Sequence, residues 1–128
     1  VICPEILIKC GKDRHVTETK IIREKVKPDK VSDLREWVKD ANNRSEEMIE
    51  SLKHEGVITE SAFLEDSPNG TYLVTYLHGE NLQNGQSGAE DSPLEIHVDY
   101  GKMVEECLVD GQAVGRFEPL YHVTNPDK

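Results

Sequence analysis

The chemistry open to this chain rests on a few side chains that can move a proton or hold a polar ligand. In SPLEIHVDYGKMVEECL (92–108), His97 occupies a place that a core-facing helix would give to an aliphatic residue. A neutral imidazole titrates near neutral pH, so His97 is a candidate general base or ligand donor. The structural alternative, a hydrogen-bonded core histidine, is the commoner use of such a position. His122 is the second candidate base. It follows Tyr121 in a strand-like run, and adjacent strand residues face opposite ways, so one of the two faces the helices and the other the far side of the sheet. Tyr72, Tyr76 and His78 alternate along TYLVTYLHG, which brings two hydroxyls and an imidazole onto one wall of a ligand cavity. The competing reading is that these tyrosines fill a subunit interface. Trp37, from a helical stripe that also serves the core, and Tyr121 complete the expected ligand-binding set.

Glu60 and Glu65 share a strand and fall on opposite faces of it. A carboxylate there either pairs with Arg23, Lys25 or Arg116, the favoured reading, or is a perturbed acid in a pocket. A metal centre would need His78, His97, His122 and Glu60 to converge. Their spacing does not require it, and neither a metal nor a cofactor is expected. The sequence has no phosphate-binding loop, no Cys–His nucleophile pattern and no Gly-Ser-Gly elbow. These residues name no single reaction.

The elements that must position them follow from periodicity. Residues 1–14 read as a leader or an extra strand, ahead of a domain over 15–128. HVTETKIIREKVK (15–27) is rich in β-branched residues and reads as a strand. Pro28 opens a helix whose apolar positions Val31, Leu34, Val38, Ala41, Met48 and Leu52 follow a 3–4 spacing, with Trp37 and Ile49 widening the stripe. Gly56 stops it. Unbroken, that helix would be about 40 Å long, more than a domain of this size needs, so a break near Asn42-Asn43 is expected. VITESAFLE and TYLVTYLHG flank a Pro68-Asn69-Gly70 turn and form an antiparallel hairpin. The polar, glycine-rich GENLQNGQSGAEDS (79–92) reads as a surface loop and a possible lid. Ser92, Pro93 and Glu95 then write the start of a helix running to about Val109. A last strand is expected in RFEPLYHV (116–123). The order βαββαβ is α+β and ferredoxin-like, an antiparallel four-stranded sheet with two helices on one face.

The strands are apolar on both sides, whereas two helices cover one face only. A second copy is the simplest cover, which implies a homodimer with its sheets face to face. In the second helix Leu94, His97, Val98, Gly101, Val104 and Leu108 form one stripe, taken to face the sheet, and Ile96, Tyr100, Met103 and Cys107 form another beside it.

A net charge of −10, from 25 acidic and 15 basic residues, argues against nucleic acid and anionic membranes as partners. No apolar run reaches the roughly 20 residues of a membrane helix. VICPEILIKC lacks a basic leading segment and carries Pro4, a poor fit to a signal peptide. Cys3, Cys10 and Cys107 leave an odd thiol under any pairing. Free thiols in a reducing, cytoplasmic setting are the main reading, a Cys3–Cys10 bridge the other.

KVKPDKVSDLREW (25–37), EGVITESAFLE (55–65), GTYLVTYL (70–77) and above all EPLYHVTNPD (118–127) resemble a family of unknown function within the dimeric α/β-barrel superfamily of ferredoxin-like proteins. The similarity spans roughly 18–127. It implies a dimer whose two sheets form a barrel, often with a pocket between sheet and helices. Superfamily relatives include cofactor-independent monooxygenases, lactone isomerases and stress-response proteins, and the family itself transfers no catalytic residue. Three readings follow. The first is a homodimeric protein binding a small organic ligand. The second is a cofactor-free oxygenase or isomerase with His97 or His122 as base, and the third a purely structural or regulatory dimer.

Overall fold

The computed structural model describes residues 17–80, 82 and 94–128. The leader, Cys3 and Cys10, nearly all of the 79–92 loop and the Ser92-Pro93 helix start lie outside these residues. Strand β1 (Glu18–Val26) leads through a 3₁₀ turn at Pro28–Lys30 into helix α1 (Val31–Asn42). Helix α2 (Ser45–Glu55), strands β2 (Val57–Ser67) and β3 (Gly70–Gly79), helix α3 (Glu95–Cys107) and strand β4 (Leu108–Ala113) follow. All strand pairs are antiparallel, in the order β2-β3-β1-β4. Among the described residues the result is an α+β fold, a curled four-stranded sheet with three helices of eleven residues or more rather than two.

The extra helix comes from the break at Asn42-Asn43. Asn43 leaves the helical region and its N–H turns back to the Asp40 carbonyl. Arg44 then ties the corner together, its guanidinium reaching Asp40, Glu47 and, across to α3, Asp99 at 2.9 Å. Gly56 ends α2 at φ +72°, in the left-handed region, and a Cβ there would stand 2.9 Å from the Glu80 carbonyl oxygen. Only glycine fits this close passage between α2 and the end of β3.

Val26, Leu34, Leu73, Met103, Cys107 and Leu108 form the core, with Val31, Trp37, Leu64 and Val104 packed against it. Register places Leu64 opposite Leu73 and Thr75 opposite Ile22, which defines the helix-covered face. The other face carries Ile21, Arg23 and Lys25 of β1, Phe63 and Glu65 of β2, and Tyr72, Val74, Tyr76 and His78 of β3.

Two expectations need correction. The last strand is Leu108–Ala113, not 116–123. Leu108 is fully buried and pairs with Val26, so the chain must leave the helix after Cys107 to deliver it to the sheet. The helix expected to run to about Val109 therefore ends at Cys107. Residues 116–123 form neither helix nor strand. In α3, Ile96, Met103 and Cys107 are the buried residues, while Val98 is half exposed. The stripe taken as secondary therefore faces the sheet, and the His97 stripe is rotated away from it. Along the first stripe Leu34 and Ala41 are buried, but Val38 and Ile49 remain exposed.

Candidate functional site

The rotation of α3 decides what His97 meets. Its side chain is 7% exposed and points at α2, where Nε2 lies 2.9 Å from Glu55 Oε2 and 2.5 Å from Ser51 Oγ. An ionised carboxylate is acceptor-only, so the contact assigns the ring proton to Nε2. Nδ1 is buried with no partner among the described residues. This is not a serine-protease arrangement, which needs hydroxyl and carboxylate on different ring nitrogens. It is an imidazole oriented through Nε2, with its other ring nitrogen unengaged among the described residues.

Ser51 and Glu55 were not singled out in the sequence. Their i, i+4 spacing shows that they share a helix face, but not that this face meets α3. His97→Leu should cost about 1–3 kcal/mol, because Glu55 and Ser51 lose their partner. His97→Gln, whose amide reaches the same atoms, should retain most of the stability. Urea unfolding of the two variants checks the contrast.

A second set of acids gathers near this dyad. Glu60 stands on the helix-covered side of edge strand β2, opposite Leu77. Loss of water around its carboxyl, then the charge of Glu55, push it up to about 7, even though the residue as a whole is exposed. Desolvation likewise raises Glu24. The Tyr100 phenol is driven up by burial and then by Glu24, Glu60 and Glu55, which places three carboxylates within electrostatic reach of one hydroxyl.

Because Glu60 binds its proton more tightly when folded than at the ordinary 4.5, its contribution is fully present below about pH 4.5 and is lost as pH rises to about 7. Glu60→Gln removes that loss. The variant should melt higher than the parent at pH 8, by a few degrees once solvent screening is allowed for, with little difference at pH 4. Thermal melts at the two pH values measure it.

The other expected residues divide between the two sides of the sheet. On the uncovered face, Tyr76 Oη lies 3.2 Å from His122 Nδ1, and the His78 and His122 rings are 4.3 Å apart. His78 Nε2 is buried and has no partner among the described residues. Tyr76, His78 and His122 therefore converge.

Tyr72 lies on the same face but is closed off, its ring covered by the Arg23 guanidinium at 3.7 Å, with Arg23 Nε bound to Glu65 at 2.8 Å. The pairing reading holds for Glu65. Tyr121 is exposed and joins no cluster. Trp37 is on the opposite side of the sheet, edge-on to Tyr100 at 5.8 Å. It borders a groove of about 340 Å³ between α1 and α3, whose rim carries Asp33, Glu36, Asp40, Asp99 and Glu106. The sheet itself separates Trp37 from any site built by the tyrosines of β3. His97 and His122 sit on opposite sides of the sheet and cannot act on one substrate atom.

Among the described residues, no group of three or more His, Cys, Asp or Glu is arranged to hold a metal ion, and no helix is long and apolar enough to cross a membrane. Cys107 is free and buried, and desolvation raises its thiol, which makes it a structural rather than a reactive cysteine.

Sheet, helices and clusters together define a small α+β protein with one face of its antiparallel sheet covered and the other carrying an aromatic and imidazole group. The chain belongs to a family of unknown function (DUF6176), whose model matches residues 17–128. No curated protein and no solved structure matches it.

Proposed function

We propose that this protein is a homodimer that binds a small, partly apolar molecule, with two ferredoxin-like domains packed sheet to sheet as in dimeric α/β barrels. The carrying observation is the uncovered sheet face. It exposes Ile21 and Phe63 and gathers Tyr76, His78 and His122, yet among the side chains on its three longer strands only Arg23, Lys25 and Glu65 are charged. In a chain of net charge −10 this face is close to neutral. Two copies can meet there without the repulsion that acidic surfaces would impose. The strand order and all-antiparallel pairing support the split βαβ topology on which the reading rests. A reducing, cytoplasmic setting belongs to the same reading, supported by the free Cys107. Light scattering at micromolar concentration tests the assembly. Twice the chain mass of 14.5 kDa is expected, and a stable monomer would end the proposal.

The Glu55–His97 contact favours a second reading, a cofactor-free isomerase or oxygenase in which His97 takes a proton through Nδ1 while Glu55 fixes the ring. In that case His97→Gln keeps the fold and abolishes turnover.

A further inference from the structure

Residues 114–128 form neither helix nor strand, and all of them are exposed. Such a segment is ordinarily polar. This one presents Leu120, Tyr121 and Val123 at 82%, 83% and 79% exposure. It is nevertheless attached to its own sheet at two points. The Val114 N–H donates to the Arg23 carbonyl at 2.6 Å, and His122 sits against Tyr76 and His78. His122 is thus engaged with the sheet, while the residues around it keep their apolar surfaces open.

The occupant of that surface follows from charge. Over 116–124 the arm carries only Arg116 and Glu118, which cancel, and it lies beside the near-neutral sheet face. The near-neutral arm meets the near-neutral face at Tyr76 and His78, so the two lie together on a strongly acidic molecule. The surface that matches them without facing an excess of carboxylates is the same area on a second copy, related by a two-fold axis.

We infer that the arm fills the interface between two copies. Anchored to its own sheet by His122, each arm lays Leu120, Tyr121 and Val123 against the other copy, so that the partner walls off the Tyr76–His78–His122 group. The inference rests on the sheet-to-sheet homodimer proposed above and adds that the group on each sheet is incomplete without the second chain.

The test is photo-crosslinking of the full chain with Tyr121→p-benzoylphenylalanine, irradiated as an equal mixture of ordinary and ¹⁵N-labelled protein. Expected is a covalent product of two-chain mass, whose peptide pairs mix the two isotopes and join the arm to the hairpin of the other copy, residues 57–79. Crosslinks confined to single chains, with light scattering still giving a dimer, would overturn the arm assignment and leave the dimer standing. A one-chain mass by light scattering would remove both.

Discussion

Leu34→Ala should lower the unfolding free energy by about 2–5 kcal/mol, a large share of the roughly 5–15 kcal/mol a domain of this size holds. Leu34 is 1% exposed and lies in the core cluster with Val26, Leu73, Met103 and Leu108. It is the point at which α1 is held to the sheet, and the space left by truncation is enclosed on every side, so the cavity penalty adds to the lost transfer energy. Val38, one helical turn along the same stripe, is 37% exposed. Val38→Ala should cost well under 1 kcal/mol. Urea unfolding of the pair decides the matter. Equal losses would mean that α1 is rotated relative to the sheet.

Phe63→Glu should leave the domain folded and weaken self-association by at least about 30-fold, the scale of losing one aromatic anchor of 2 kcal/mol or more. Phe63 is 59% exposed in the single chain and stands opposite Val74, on the edge-strand side of the uncovered face. A carboxylate placed there would be desolvated at the proposed contact, and an isologous interface presents each such insult twice. Dilution series by light scattering or analytical ultracentrifugation measure the shift. An unchanged dimer would place the contact elsewhere on the molecule.

Much of this architecture could be read from residue patterns, and the exceptions have physical causes. The hairpin followed from Pro68-Asn69-Gly70, and the helix break from two asparagines in a stretch too long for one domain. Alternation in β3 correctly grouped Tyr76 with His78, because a strand's two faces are fixed by its period. The last strand was misplaced because PLYHV has the composition of a strand, whereas pairing depends on what the rest of the sheet leaves free. Leu108, buried beside Val26, takes that place first.

His97 shows the other kind of limit. Two apolar stripes on α3 differ by about one residue's turn of 100°, and composition alone does not say which of them the sheet receives. The whole environment of the histidine, Ser51 and Glu55 included, hangs on that choice. Tyr72 and Trp37 stand apart from the Tyr76–His78–His122 group for a similar reason. Arg23, which covers the Tyr72 ring, and the sheet that separates Trp37 from that group are contributed by distant stretches of chain.

One junction has mechanical consequences. Helix α3 ends at Cys107 and β4 begins at Leu108, with no residue between them. The Cys107 carbonyl is itself gripped by the Lys27 N–H at 2.8 Å, just beyond the end of β1. No linker stands between helix and strand to absorb a movement of the helix. A shift of α3 that followed an event at His97 would pull on Leu108 at the start of β4, and through the Val26–Leu108 pair on the end of β1. Strand β1 carries Ile21 and Arg23 on the opposite side of the sheet. A displacement at the helices would thus reach, through this linkerless junction, the strand that also serves the face where a second copy is proposed to sit.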